Sequence, residues 1–305
     1  MAETSRHGSL VYFPRRAGRP APHKQPIVPE LPEVEITRTG IAPYLQGRKI
    51  TGVVVRQPRL RWPVPRELPQ LLIGRCVQTV DRRGKYLLMR FEHGTLLMHL
   101  GMSGSLRVID PAEPATVHDH FDLVLGTQAV RLRDPRRFGA VLWCAGDASD
   151  HPLIATLGVE PLSEAFSADY LYAASRARRQ AIKTLLMDHR VVVGIGNIYA
   201  NESLYRAGIR PTMPAGRLSR AGAARLVEAV RDTLRDALAA GGSSLRDFVH
   251  SDGAPGYFQQ QYYVYDREGL PCRRCDTPIR RIVQGQRATY YCLRCQPARP
   301  PAKAC

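Results

Sequence analysis

From Pro32 onward the apolar positions recur at helical spacing. Val34, Ile41 and Leu45 fall near one face of a segment that has proline at an early position and Gly47 beyond its end, which predicts a helix. The rhythm then shortens to strand-like runs at Thr51–Arg56, Val77–Val80, Tyr86–Phe91, Thr95–Leu100, Phe121–Leu125 and Val130–Leu132. Gly, Asp and Pro turns separate these runs, and their spacing predicts a β-sandwich. After about residue 150 the texture changes to Ala, Leu and Arg at helical spacing, clearest in Ser219–Ala240, where Leu226, Val230, Leu234 and Leu238 recur every four residues. Ser219 is placed to cap that helix and Gly241-Gly242 to end it. The small, polar and Gly/Pro positions of Ser243–Tyr257 predict a mobile loop, and Gln261–Tyr265 reads as a strand leading into a cysteine cluster. Residues 1–28 are rich in Pro and Arg without any period and are expected to lie outside the fold as a disordered extension. The pattern predicts an α+β chain: a β-sandwich with flanking helices over 29–150, a helical domain over 151–260, a β-hairpin over 261–296 and a tail over 297–305.

Charge narrows the choice of partner. The 305 residues carry a formal net charge of +17, and the excess survives removal of residues 1–28, which hold five basic side chains and one acidic. A basic body favours nucleic acid, an anionic membrane or another polyanion without choosing among them. No stretch approaches the ~18 apolar residues that span a bilayer, and the N-terminus has no apolar secretory segment, so a cytoplasmic protein is expected.

Four of the seven cysteines belong together. Cys272-x-x-Cys275 and Cys292-x-x-Cys295 have the spacing of two knuckles around one tetrahedral metal; four thiolates suit a structural Zn²⁺, with a disulfide framework as the alternative that a cytosolic setting disfavours. Arg273, Arg274, Arg280, Arg281, Arg287 and Arg294 lie in or between the knuckles, where a pinned hairpin tip could grip phosphates or the arginines could merely solubilise a ribbon. Cys76 and Cys144 sit singly in apolar runs and are expected to be buried thiols, and Cys305 to be an inert tail residue.

Pro29-Glu30-Leu31-Pro32-Glu33-Val34-Glu35 resembles the mature N-terminus of the formamidopyrimidine-DNA glycosylase family. The resemblance continues through Arg83-Gly84-Lys85-Tyr86, His99-Leu100-Gly101-Met102-Ser103-Gly104, Asp134-Pro135-Arg136-Arg137-Phe138-Gly139, Gly194-Ile195-Gly196-Asn197-Ile198-Tyr199, Ser251-Asp252-Gly253-Ala254-Pro255-Gly256-Tyr257 and Gln286-Arg287-Ala288-Thr289-Tyr290-Tyr291-Cys292. It implies a monomeric base-excision-repair enzyme, nucleoid-associated in the cytoplasm, that removes 8-oxoguanine and formamidopyrimidines from damaged duplex DNA and cuts the abasic strand by β,δ-elimination. In that family the terminal proline amine attacks the sugar C1′, so the resemblance makes Pro29 the nucleophile and Glu30 the acid/base at the ring oxygen and the iminium. Read locally, the same Pro-Glu pair is a helix-start device. Lys85 is implied as the lysine that contacts substrate and assists elimination, and Arg287 as the hairpin residue that holds phosphates and takes part in δ-elimination.

A base inside a duplex must be flipped out at a cost of a few kcal/mol, and something must fill the hole. The resemblance assigns that task to Met102, Arg136 and Phe138, with core packing as the ordinary alternative for the Met and the Phe. His118, Arg136 and Arg178 match DNA-contact positions, the last usually lysine in the family and arginine here. Asn197, in the turn of a helix-two-turn-helix element, and Lys183 match further backbone-contacting positions; a solvated helix residue is the alternative for Lys183.

An amide nitrogen cannot form an iminium, because its lone pair is delocalised into the carbonyl. The reading therefore expects translation to start at codon 28, Val28 standing where the family has methionine, with a later-cleaved basic arm or targeting segment as the competing idea. Two other functions share these features: the endonuclease VIII-like branch, which favours oxidised pyrimidines, and a non-catalytic zinc-ribbon DNA-binding protein. The Glu-Leu-Pro-Glu run after Pro29 and the loop at Ser243–Tyr257 resemble the purine branch.

Overall fold

A computed structural model describes residues 28–241 and 262–298. The segment before residue 28, the loop expected at Ser243–Tyr257 and the tail from 299 on lie outside the described residues. The chain runs through α1 (Leu31–Leu45), β1 (Gly52–Val55), the short α2 (Leu68–Leu72), β2 (Thr79–Arg83), β3 (Tyr86–Phe91), β4 (Gly94–His99), β5 (Ser105–Ile109), β6 (Asp119–Val124), β7 (Ala129–Arg133) and β8 (Ala140–Ala145). Helices α3 (Pro152–Ala155), α4 (Ala168–Ser175), α5 (Ile182–Leu186), α6 (Asn197–Arg206) and α7 (Arg220–Gly241) follow, then the hairpin β9 (Arg280–Gln284) and β10 (Arg287–Tyr291).

Two four-stranded antiparallel sheets, ordered β1-β6-β7-β5 and β2-β3-β4-β8, form the sandwich. Leu87, Met89, Leu96 and Met98 of one sheet and Phe121, Leu123, Val130 and Leu132 of the other share a core with Val34, Ile41 and Leu45 of α1. The apolar face of α1 is thus spent on the sandwich, which fixes where its N-terminus ends up. A second core, built on Leu226, Val230 and Leu234 of α7 with residues of α4, α5 and α6, holds the helical domain, while Leu238, expected in the same row, is only half-buried and stands outside that core. Ser219 caps α7, its hydroxyl accepting from Gly222 N–H at 3.0 Å.

Four expectations need correction. Strands β5 and β8 were not expected: β5 alternates Ser105 and Arg107 with buried Leu106 and Val108 over a run of only five residues, whereas β8 is buried on both faces for most of its length, so Ala-Val-Leu-Trp-Cys-Ala never alternates. The strand expected from Val77 begins at Thr79, because Cys76 and Val77 instead bridge to Lys49 and Gln46 at the end of α1. That bridge leaves Cys76 exposed, whereas Cys144 is buried as expected. Finally, residues 262–265 form a turn rather than a strand. The amides of Tyr263, Val264 and Tyr265 all donate to one carboxylate, Glu202, at 2.8, 2.9 and 2.8 Å, and converging on one acceptor requires a curled backbone. The run Tyr262-Tyr263-Val264-Tyr265, all residue types favoured in strands, imitated one.

Candidate active site

The first turn of α1 carries the Pro-Glu pair into the seam between the sandwich and the helical domain. Pro29 is buried there and Glu30 is 1% exposed. Leu31 N–H donates to Gly194 C=O at 3.0 Å. The Glu30 carboxylate accepts from the backbone N–H groups of Gly196, Ile198 and Tyr199 at 2.7, 2.8 and 3.3 Å, so it sits on the N-terminus of α6. Orphan amides and the helix dipole both favour an anion there. Gly196 makes this approach possible: a Cβ at that position would overlap Glu30 Cδ and Oε1 and stand 2.7 Å from Cγ. The same pair does start the helix, through a reciprocal capping box in which Glu30 N–H donates to Glu33 Oε2 at 2.9 Å.

Several charges compete in this seam. Burial pushes the Glu30 carboxyl above the ordinary glutamate value, against the pull of Lys85 and the three amides. Burial, aided by the charge of Glu30, pushes Glu33 up to about 7, although Tyr199 O–H donates to its Oε1 at 2.6 Å. Lys85 is driven below the usual lysine value by desolvation and by Arg287, with Glu30 and Glu33 opposing. His99, pushed down to about 4 by burial and then by Lys85 and Arg61, stays neutral and accepts from Gly101 N–H through Nδ1 at 2.9 Å. The site therefore holds two carboxyls ready to carry protons and an amine shifted toward its neutral form.

Lys85 rides on the β2–β3 turn, which is anchored from the opposite domain. Glu160, between α3 and α4, accepts from Gly84 N–H at 2.7 Å, Arg83 Nη1 at 3.0 Å and Arg82 Nη1 at 2.9 Å. Arg82 Nε also donates to Glu35 Oε2 at 2.8 Å, which ties the turn back to α1. These charge-assisted bonds hold Lys85 against Glu30 from two sides.

Met102, Arg136 and Phe138, expected to act together, are brought together. The β4–β5 and β7–β8 connections are locked by Asp134, which is fully buried: Ser103 Oγ donates to its Oδ1 at 2.8 Å and Gly139 N–H to its Oδ2 at 2.7 Å. At Gly101, φ is +64° and a Cβ would overlap the Phe138 backbone, so only glycine lets the loops meet. Phe138 is 44% exposed and the Arg136 guanidinium lies 4.9 Å from its ring centre, while Met102 is half-buried, so neither apolar residue belongs to the core. His118 borders the same loops, its carbonyl accepting from Asp134 N–H at 2.9 Å.

The remaining candidates divide. Asn197 is the first residue of α6, directly beside the Glu30 cradle. Arg178 is exposed in the turn after α4, where it makes no side-chain bond to the cluster around Glu30. Lys183 is not the solvated helix residue considered above: it is 2% exposed, and its ammonium donates to Ala288 C=O at 2.9 Å and Thr289 Oγ1 at 2.7 Å. Burial and Arg287 push it down to about 7. Lys183 thereby fixes the strand that begins with Arg287. Arg287 itself is exposed, just past a two-residue turn in which Gly285 and Gln286 both have positive φ, +55° and +60°, the geometry of a tight hairpin.

The four cysteines converge as their spacing required. Their sulfurs lie within 4.8 Å of one another, with Cys272–Cys295, Cys275–Cys292 and Cys275–Cys295 separations of 3.8, 3.4 and 3.5 Å. Tetrahedral Zn–S bonds of about 2.3 Å imply S···S distances near 3.8 Å, so the set fits one structural Zn²⁺ with no position left for substrate. That ion would hold two knuckles whose own core is only a handful of residues.

Glu33, Tyr199, His99, Glu160 and Glu202 were not singled out from the sequence. Glu33 carried the E-x-x-E spacing of a capping box, and His99 and Tyr199 lie inside motifs that resemble the family without any role being assigned to them; Glu160 and Glu202 act through contacts more than sixty residues distant.

A β-sandwich and a helical domain meeting over a buried carboxyl, with an arginine-tipped four-cysteine hairpin closing one side, is the architecture of a DNA-repair glycosylase. Residues 28–141 match the formamidopyrimidine-DNA glycosylase N-terminal domain, residues 157–249 the H2TH domain of the same glycosylase, and residues 269–298 the zinc finger found in FPG and IleRS. The formamidopyrimidine-DNA glycosylase of Aromatoleum aromaticum is 61% identical over 269 residues, covering 88% of this chain and 99% of that protein. The crystal structure of MutM (Fpg) from Thermus thermophilus superposes with a TM-score of 0.76 at 40% identity, covering 89% of this chain and all of that one. Lactococcus lactis Fpg, solved in complex with abasic-site DNA, gives 0.80 at 30% identity over 88% of this chain and 99% of its own. The chain belongs to the formamidopyrimidine-DNA glycosylase family.

Proposed function

We propose that this protein excises oxidised purines, 8-oxoguanine and formamidopyrimidines, from duplex DNA through a Schiff base at Pro29, and then cuts the abasic strand by β,δ-elimination. The observation that carries the reading is the burial of Pro29 beside a carboxyl seated on the α6 amides and facing Lys85. A free α-amine has a pKa near ~8, so a useful neutral fraction is present at pH 7. Its lone pair forms the N–C1′ bond as the glycosidic bond breaks; the base leaves with the electron pair and takes up the proton that the amine nitrogen gives up, which frees the nitrogen lone pair again. Glu30 gives its proton to the ring oxygen O4′, the ring opens, and the iminium remains cationic. That electron sink acidifies C2′; loss of its proton, assisted by Lys85, expels the 3′-phosphate. Arg287 holds the flanking phosphate and assists the second elimination, which expels the 5′-phosphate before water hydrolyses the iminium and regenerates Pro29.

Met102, Arg136 and Phe138 fill the space left by the extruded nucleotide, and His118, Arg178, Asn197 and Lys183 support the backbone, Lys183 through the hairpin strand it anchors. The same reading places a single chain in the cytoplasm, working on nucleoid DNA; among the described residues no helix is long and apolar enough to cross a membrane. Borohydride trapping tests it. A covalent adduct located at Pro29 by peptide mass is expected with an 8-oxoguanine duplex, a weaker one with an oxidised-pyrimidine duplex, and none when residue 28 still acylates Pro29. Efficient trapping by the acylated chain would refute the scheme.

A further inference from the structure

Helix α6 touches both ends of the machinery. Its first turn cradles Glu30, and its later turns carry three side chains toward the hairpin. Asn201 Oδ1 accepts from Tyr290 N–H at 2.9 Å, Glu202 accepts three amides of the 263–265 turn, and Tyr205 O–H lies 3.1 Å from Cys272 Sγ. The first two bonds are indifferent to the metal. The third is not, because a metal-bound thiolate carries no proton and can only accept.

We propose that Tyr205 is a positioning residue of the metal site, donating its phenol hydrogen to the Cys272 thiolate and thereby locking the metal-loaded hairpin onto α6. Tyr205 is 1% exposed and Cys272 fully buried, so no water competes for that sulfur. Two neighbours hold the ring in place. Tyr263 stacks on it at 5.6 Å with an interplanar angle of 24°, and the Arg274 guanidinium lies 4.8 Å from its centre. Other donors reach the cluster less closely: Arg274 N–H lies 3.5 Å from Cys272 Sγ and Cys295 N–H 3.4 Å from Cys292 Sγ. The phenol is thus the shortest bond to any of the four sulfurs from a neighbouring helix. Groups that orient metal ligands from behind typically change metal affinity 10–100-fold when removed. The hydrogen bond also withdraws charge from sulfur, which raises the energy needed to move an electron from thiolate to metal.

Tyr205→Phe keeps the ring, its stacking and its packing and deletes only the hydroxyl. With the full-length zinc-loaded protein and a chromophoric chelator in excess, Tyr205→Phe is expected to release zinc about tenfold faster than the parent. Tyr263→Phe, which alters the stacking partner without touching a sulfur, is expected to release it at the parental rate. After exchange of zinc for cobalt(II), the thiolate-to-cobalt charge-transfer band of Tyr205→Phe should move to longer wavelength, a change that looser packing alone would not produce. Parental release kinetics in Tyr205→Phe, equal acceleration in both variants, or an unmoved band would each overturn the proposal. If Tyr205→Phe folds too poorly to hold zinc, the cobalt spectrum of Tyr205→Trp, whose indole N–H remains a donor, decides: a parental band supports the bond and a red-shifted one refutes it.

Discussion

Replacing Gly196 with alanine should disable catalysis without removing any group that takes part in it. The new methyl would overlap Glu30 Cδ and Oε1, so the carboxylate must withdraw from the α6 N-terminus. The backbone there, at φ −115° and ψ −153°, is open to any residue, which leaves the clash as the sole perturbation. Withdrawal sacrifices at least the 2.7 and 2.8 Å bonds from Gly196 and Ile198 N–H. Hydrogen bonds to a charged group contribute roughly 1.5–3 kcal/mol each, so holding Glu30 in its working position becomes ~3–6 kcal/mol less favourable. At 1.36 kcal/mol per tenfold, that is a fall of roughly 10²–10⁴ in rate, the range spanned by losing a general acid outright. Single-turnover excision from an 8-oxoguanine duplex would measure it, with circular dichroism to show that the fold persists. Gly196→Ala should approach Glu30→Gln in rate. An alanine variant within twofold of the parent would show that the amide cradle plays no part in placing the carboxyl.

Glu33 holds a proton up to about 7 in the folded chain, against 4.5 for an ordinary glutamate, so between those values the native state binds more protons than the unfolded one. The contribution of Glu33 to stability should therefore be greatest below pH 4.5 and fall as pH rises through that window, by ~3 kcal/mol at most; Glu33→Gln should remove that component of the slope in thermal melts at pH 5 and 7.5, and an unchanged slope would refute the assignment. Lys183→Met strands Ala288 C=O and Thr289 Oγ1 without a donor, so it should destabilise the chain by ~1–3 kcal/mol in urea melts and lower the yield of δ-elimination product relative to β. Stripping zinc with a strong chelator should free the hairpin from its geometry and weaken binding to an abasic-site duplex at least tenfold in a fluorescence-anisotropy titration, with restoration on adding zinc back. Unchanged binding would mean that Lys183 and Glu202 suffice to seat Arg287.

How much of this could be read from the sequence depended on the range of the interaction. The capping serine of α7, the tight knuckle spacing and the core face of α1 are set by residues a few positions apart, and all three were legible. The double-sided burial of β8 erased its period, and the 262–265 turn depends on Glu202, sixty residues upstream. Lys183 is the sharpest case. On its own helix nothing distinguishes it from a solvated lysine, because the carbonyl and hydroxyl that receive its ammonium lie more than a hundred residues downstream.

Apart from that of Lys183, the long-range contacts share an element. Glu30 from the sandwich, the hairpin amide of Tyr290, the 263–265 turn and the sulfur of Cys272 all terminate on α6 or on its first-turn amides, over a single ten-residue helix. A helix of that length is ~15 Å long and stiff along its axis, so a shift at one end is carried to the other. Buried polar and charged groups such as Asn201, Glu202 and Lys183 stabilise little when satisfied and destabilise strongly when stranded, which makes them poor glue but strict determinants of position. That asymmetry accounts for their place here: the proposed chemistry needs a carboxyl from one domain and an arginine from a metal-pinned hairpin at one nucleotide, and neither hydrophobic core could set their relative position to within a hydrogen bond. The polar face of α6 does so, and its tolerance of substitution should therefore be lower than that of either core.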